Sequence, residues 1–167
     1  MNLNLNLSRQ YLLSNRNLDF IAQSLVDNDI NPADIIVSIN EECLGNEPSK
    51  LSKSLSRLKS LGIALMLSEF AKDNAPLQKL QTFDFSAVRF DKALIRKIGN
   101  HRFSEILLES VIDVINQLGI KSIASGIENE NQETFLIKHK CQLGQGYLYS
   151  DPLTENQMRQ LMLDKQK

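Results

Sequence analysis

Polar side chains that could bind a metal or a ligand follow two of the short apolar runs in this sequence. The run IALML ends at Ser68 and Glu69, and the run AVRF carries Arg89 and leads into Asp91. Carboxylates are the ligands that Mg²⁺ prefers, whereas an arginine fork suits a phosphate. Two chemistries are therefore open at these positions, a cation site built on the acids and an anion site built on the arginine.

Other apolar runs end in the same way. Their polar end residues are Asn6, Ser38, Ser125, Glu128 and Gln145. Serine and asparagine at such positions often satisfy backbone groups, and an acid there often caps the next helix. For Asp91 and Glu128, helix capping and ligand binding both stay open.

The apolar runs have the length and composition of β-strands. They are rich in β-branched or aromatic residues and span residues 2–7, 34–39, 63–67, 87–90, 121–125 and 145–149. Between them, apolar residues recur three and four positions apart, which predicts helices with one buried stripe. Gly62 and Gly119 each stand between a helical pattern and a strand, where a left-handed residue is favoured.

Six strands that alternate with helices predict an α/β protein with a parallel sheet. A (β/α)₈ barrel typically needs about 250 residues and eight units, so this chain of about six βα units is two units short of closure. A doubly wound sheet is the alternative. In both architectures the ligand site lies at the carboxyl ends of the strands, where the polar residues stand.

Composition limits the function classes. The chain has 167 residues, 42% hydrophobic and 23% charged, with a formal net charge of −1. We therefore expect a single domain over residues 1–167, with no nucleic acid as partner because no basic excess is present. No apolar run is long enough to span a bilayer, which predicts no membrane insertion and a cytoplasmic location. The two cysteines lie far apart, without the spacing of a zinc site.

Six motifs at the strand ends occur in an order that resembles the EAL domain, the (β/α)₈ phosphodiesterase of bacterial cyclic di-GMP signalling. The motifs are NLS from Asn6, SINE from Ser38, SEFA from Ser68, RFD from Arg89, SGIE from Ser125 and QGY from Gln145. The resemblance covers essentially the whole chain. It implies an incomplete TIM-barrel-like EAL fold, because the strand that bears the E-A-L motif has no counterpart here.

The resemblance also implies losses at the site. Active members carry E-x-T-E, D-D-F-G, K-x-D and E-G-V-E, where this chain has Ser38, Ser68, Arg89 and Ser125 at the first positions. Two divalent metals need several carboxylates to offset their repulsion, and serine supplies none. Arginine does not deprotonate in proteins, so Arg89 cannot replace a titrating lysine. We therefore predict a degenerate site with no metal and no cofactor, and a chain that is not an enzyme.

Two functions then stay open. The first is a non-catalytic signalling domain that acts by protein–protein interaction in cyclic di-GMP pathways. The second is a receptor that binds cyclic di-GMP without hydrolysing it, through Asn6, Arg89, Asp91, Glu128 and Gln145. The sequence does not identify the protein partner; a second copy of the chain and an upstream GGDEF or sensor domain are both candidates.

The predicted sheet raises a further question about its edges. Six parallel strands do not close a barrel, and bare edge strands are prone to pair with another chain. We expect either self-association across the open edge or an extra strand from the segment MNLNLNL that shields it.

Overall fold

Six parallel strands pair in chain order to form the sheet of this protein, in a computed structural model that describes residues 2–45, 48–71 and 77–164. The strands are β1 (Leu3–Asn6), β2 (Ile35–Asn40), β3 (Ala64–Phe70), β4 (Ala87–Phe90), β5 (Lys121–Ser125) and β6 (Leu143–Gln145). Every neighbouring pair is parallel. Because the order never reverses, the sheet has no switch point, which excludes the doubly wound alternative.

Helices connect successive strands, as a parallel sheet requires, and a last helix follows β6. They are α1 (Arg9–Leu12), α2 (Asn15–Asp27), α3 (Glu41–Leu44), α4 (Pro48–Ser60), α5 (Leu77–Thr82), α6 (Lys92–Ile95), α7 (Arg102–Gln117), α8 (Glu130–Lys138) and α9 (Glu155–Asp164), with a 3₁₀ turn at Pro32–Asp34. Gly62 and Gly119 have φ values of +90° and +70°, which confirms the left-handed positions expected before β3 and β5.

The core lies between the sheet and the helices. Alternate residues of the central strands point toward the helices and are fully buried, among them Val37, Leu67 and Phe90 at 0% exposure. The opposite face carries Ser38, which pairs in register with Asn6 and Met66 on the two neighbouring strands. This second face is the inner face of the curled sheet, and it holds most of the polar strand-end residues.

A single hydrogen bond shows how strongly the sheet curls. The Arg89 guanidinium of β4 donates to the Asn6 side chain of β1 at 3.4 Å, although two strands lie between them. In a flat sheet, three strand spacings separate such positions by about 14 Å, which an arginine cannot bridge. The fold is therefore an open, TIM-barrel-like sheet, as the sequence predicted.

One predicted strand boundary was wrong, and so was one of the two alternatives given for the edge of the sheet. The last strand was expected at residues 145–149, but β6 ends at Gln145 and a turn follows, because the Tyr149 amide donates back to the Gly146 carbonyl. The segment MNLNLNL adds no shielding strand, because its residues from Leu3 to Asn6 form β1 itself, at the edge of the sheet.

Helix α9 begins with a side-chain cap. The Thr154 amide donates to the Gln157 side chain at 2.8 Å, and the Gln157 amide donates back to the Thr154 hydroxyl at 3.4 Å. Every residue of α9 is nevertheless exposed. None of the helices in the described ranges combines the length and apolar character needed to span a bilayer.

Candidate functional site

The carboxyl ends of the six strands form one rim, which we call the mouth of the sheet. Register pairs Asn6 with Ser38, Asn40 with Ser68, and Ser125 with Gln145 across adjacent strands. The polar residues that the sequence places at strand ends therefore lie along one edge. This arrangement follows from the parallel topology, since parallel strands end on the same side.

Arg89 places a cation on the inner face near the mouth. Its side chain is half-buried and donates to the Asn6 side-chain oxygen at 3.4 Å. Burial lowers the pKa of Arg89 from its ordinary value, and the nearby Glu69 carboxylate partly offsets this effect. Because a guanidinium stays charged in proteins, the inner face presents a fixed positive charge, with one N–H group directed at Asn6.

The backbone around Glu69 is strained. Glu69 and Ala71 have φ values of +57° and +63°, on either side of the buried Phe70. The pairing of β3 with β4 shifts register between Leu67 and Phe70. Left-handed non-glycine residues are uncommon and tend to cluster at functional sites, because the surrounding structure must hold them there. Glu69 is exposed, whereas its neighbour Ser68 is buried at 4% exposure.

Asp91 caps a helix. Its carboxylate accepts a hydrogen bond of 2.7 Å from the Ala93 amide at the start of α6. Of the two interpretations open for Asp91, the structure therefore shows the helix cap.

Glu128 does not cap α8, since Asn129 does so through the Gln132 amide at 3.1 Å. The Glu128 carboxylate instead accepts from Arg96, whose Nε and Nη2 lie 3.1 and 2.7 Å from the same oxygen. The hydrogen bond and the charge of Glu128 raise the pKa of Arg96. Arg96 was not among the residues predicted from the sequence. Its position seven residues after Arg89, near the predicted site, was the feature that could have indicated it.

Gln145 is exposed at the end of β6. Its backbone carbonyl accepts from the Gly126 and Ile127 amides at 2.8 and 3.1 Å, so it closes the loop after β5 onto β6. The Ser125 hydroxyl donates to the Phe90 carbonyl at 2.7 Å, which binds the end of β5 to β4. Hydrogen bonds thus connect the carboxyl ends of β4, β5 and β6 to one another. The side chains at the mouth form two separate pairs, Arg89 with Asn6 and Arg96 with Glu128.

A metal pair of the kind that the EAL resemblance implies does not suit this donor set. Within residues 2–45, 48–71 and 77–164, no group of three or more His, Cys, Asp or Glu side chains comes together as a metal site. The Asn6 oxygen faces a guanidinium, and the Glu128 carboxylate is bound to Arg96. These oxygens are therefore already engaged by donors, and Arg89 would repel a cation.

Comparison with known proteins decides the family. A sequence model described as the EAL domain matches residues 1–152. The chain belongs to the EAL domain family. Helix α9 lies beyond the matched residues.

Some relatives of this EAL domain are named as phosphodiesterases. The cyclic di-GMP phosphodiesterase RocR of Pseudomonas aeruginosa is 28% identical over 155 residues, which are 93% of this chain and 40% of RocR. The cyclic di-GMP phosphodiesterase PdeR of Escherichia coli is 24% identical over 148 residues, which are 89% of this chain and 22% of PdeR. The chain thus spans less than half the length of these relatives.

Solved structures share the fold. The EAL domain of Mycobacterium smegmatis DcpA superposes with a TM-score of 0.92 at 20% identity, covering 98% of this chain and 74% of that one. The PaMucR phosphodiesterase in complex with c-di-GMP gives a TM-score of 0.87 at 21% identity, covering 94% of this chain and 64% of that one. These likenesses confirm the incomplete TIM-barrel-like architecture of the EAL domain.

The prediction that the chain is not an enzyme was wrong. Relatives that match most of its length are named cyclic di-GMP phosphodiesterases, so the findings point to a phosphodiesterase family. The prediction rested on single substitutions at four strand ends. Such substitutions remove three carboxylates and one lysine, but they leave the strand order and the curled sheet that this EAL domain shares with its relatives.

Proposed function

We propose that this EAL domain binds cyclic di-GMP at the mouth of the sheet. The observation that carries the proposal is the half-buried Arg89 guanidinium, fixed on the inner face by Asn6. A phosphodiester needs a cation with directed N–H donors, and a guanidinium supplies both. The c-di-GMP complex of PaMucR, which has the same fold, supports the choice of ligand.

The five residues predicted from the sequence take different parts in this proposal. Asn6, Arg89 and Gln145 are the direct contacts, because they lie on the inner face or the exposed rim. Asp91 organises the start of α6 as its cap. Glu128 does not contact the ligand itself, because its carboxylate is paired with Arg96.

Calorimetry of the chain with cyclic di-GMP tests the proposal. We expect saturable one-site binding that persists when EDTA removes divalent metal, because the contacts are an arginine and two amides. GMP at the same concentration is the control for general nucleotide binding. The same samples are assayed for the linear dinucleotide, since the relatives are named phosphodiesterases. If millimolar cyclic di-GMP gives no binding heat in calorimetry, the proposal is refuted.

The open edges of the sheet favour protein binding as a second function. In the described part of the chain, β1 pairs with β2 alone and β6 with β5 alone. Leu3 on β1 and Leu143 on β6 are 51% and 53% exposed. An exposed edge with apolar side chains is a template for another strand, and a second copy of the chain is the partner always present.

Light scattering after size exclusion tests self-association. We expect a mass above the 18.9 kDa of one chain that depends on protein concentration. Leu3→Lys and Leu143→Lys should shift the equilibrium toward the monomer, since lysine on an edge strand opposes pairing. Leu118→Lys is the matched control, because Leu118 is 50% exposed beyond the end of α7 and belongs to neither edge strand. A monomer at every concentration would rule self-association out.

A further inference from the structure

Arg96 and Glu128 form an ion pair between two loops at the mouth. Arg96 follows α6, and Glu128 precedes α8. Two nitrogens of the guanidinium, Nε and Nη2, converge on one carboxylate oxygen of Glu128 at 3.1 and 2.7 Å. The pair therefore connects the segment after β4 with the segment after β5, beside the residues proposed to contact ligand.

Close backbone packing brings the two loops together. Gly126 has a φ of +80°, and a Cβ at this position would lie 2.7 Å from the Cβ of Lys92, the first residue of α6. Only glycine permits this approach. Because the loop after β5 lies against the start of α6, Arg96 reaches Glu128 directly.

Glu128 is the fixed member of the pair. Its backbone amide donates to the Gln132 side chain at 2.7 Å, and Gln132 is buried at 3% exposure. The Arg96 side chain is longer and 54% exposed, against 38% for Glu128. The negative charge of Glu128 is thus held at the mouth by the backbone, and the arginine supplies the charge that offsets it.

The other mouth acids have separate partners. The Asp91 carboxylate caps α6 through the Ala93 amide. The Glu69 carboxylate lies close enough to Arg89 to raise the pKa of its guanidinium, against the larger effect of burial. Glu128 is consequently the acid that Arg96 offsets, and without Arg96 its charge would oppose an approaching phosphate.

We propose that Arg96 is a positioning residue that neutralises Glu128 and thereby sets the affinity of the mouth for phosphodiester anions. The proposal rests on the function proposed above and names a second cation for the same site. Arg89 contacts the ligand, whereas Arg96 acts through Glu128. The two arginines therefore respond differently when Glu128 loses its charge.

A double-mutant cycle tests this proposal, with the dissociation constant for cyclic di-GMP measured by calorimetry. Arg96→Gln leaves the Glu128 charge unpaired, and affinity should fall on the order of fivefold. Glu128→Gln removes the repulsion and leaves Arg96 as a free cation, so affinity should rise. The double variant should return to within about twofold of the wild type, because both charges are gone.

Salt and a remote ion pair provide the controls. The effect of Arg96→Gln should shrink as ionic strength rises toward roughly 1 M, since screening weakens exposed charges. Arg159→Gln changes the net charge equally but breaks an exposed pair with Glu155 on α9. It should leave the dissociation constant unchanged.

The possible outcomes separate the alternatives. Weaker binding in Glu128→Gln, together with a lower melting temperature, would show a merely structural ion pair and overturn the proposal. A double variant as weak as Arg96→Gln would mean that Arg96 contacts the ligand itself, which also overturns it. If the wild type binds cyclic di-GMP and Arg96→Gln binds it equally tightly, this inference is wrong but the proposed function is not. No binding by the wild type would refute the proposed function and this inference together.

Discussion

Replacing Gly146 with alanine is expected to destabilise the protein more than any other glycine-to-alanine change at the mouth. A Cβ at this position would lie 2.0 Å from the Ile127 carbonyl oxygen and 2.4 Å from the Ile127 amide nitrogen. Ile127 is buried at 1% exposure, so its backbone cannot move aside without disturbing the core. Overpacking of this kind typically costs about 1 to 3 kcal/mol, and contact with backbone places Gly146→Ala at the upper end of that range or above it.

The damage should spread through the loop that carries Glu128. The Ile127 amide donates to the Gln145 carbonyl at 3.1 Å, and the Ile127 carbonyl accepts from the Leu148 amide at 3.1 Å. Moving Ile127 breaks both hydrogen bonds. We therefore expect loss of ligand affinity together with loss of stability.

Gly119→Ala is the matched control for Gly146→Ala. Gly119 has a φ of +70°, but a Cβ there would meet nothing within 4 Å. Its substitution should cost only the left-handed strain of an alanine, about 1 kcal/mol. Urea unfolding measures both free energies. If Gly146→Ala costs no more than Gly119→Ala, the close packing of the Q-G-Y glycine against Ile127 is not what stabilises the mouth.

The strands and their order could be predicted because each carries a local signal. Runs such as AVRF and KSIAS became β4 and β5 without a change of boundary. The end of β6 could not be predicted in this way. Its boundary depends on Gly146 packing against Ile127, a contact between residues distant in sequence, and the aromatic residues that suggested a longer strand lie in the turn after it.

The candidate site was predictable in its position but not in its pairings. Parallel topology places every strand end on one rim, so the sequence positions of Arg89, Glu128 and Gln145 predicted that they lie along it. The partner of Glu128 was not, because Arg96 follows a short helix and its side chain reaches a different loop. The prediction that the chain is not an enzyme failed for a related reason. It compared single motif residues with those of active EAL domains, and such a comparison does not register the fold that the whole chain shares with its relatives.

Replacing Arg89 with alanine is expected to lower the affinity for cyclic di-GMP about ten- to a hundredfold. Loss of a charge-assisted hydrogen bond typically costs about 1.5 to 3 kcal/mol, and each 1.4 kcal/mol is a factor of about ten in the dissociation constant. The Arg89 side chain is half-buried, so less water competes for its N–H groups. The loss of affinity should therefore lie in the upper part of this range.

Three further variants show whether charge or geometry is responsible. Arg89→Lys keeps the charge but loses the fork that Asn6 orients, so it should recover only part of the affinity. Asn6→Ala keeps the cation and loses its hydrogen-bond partner, so its effect should be smaller than that of Arg89→Ala. Arg57→Ala, in the last turn of α4 just before the amino end of β3, removes an equal charge on the side of the sheet opposite the mouth and should leave affinity unchanged.

Metal-independent binding makes the Arg89 result decisive for the location of the site. Thermal melting confirms that each variant is folded, so that a loss of heat in calorimetry reports the ligand contact. If the complex is tight in EDTA and Arg89→Ala binds as well as the wild type, the ligand does not use the inner-face cation. The assignment of Arg89 as the ligand contact, on which the proposed site rests, would then be wrong.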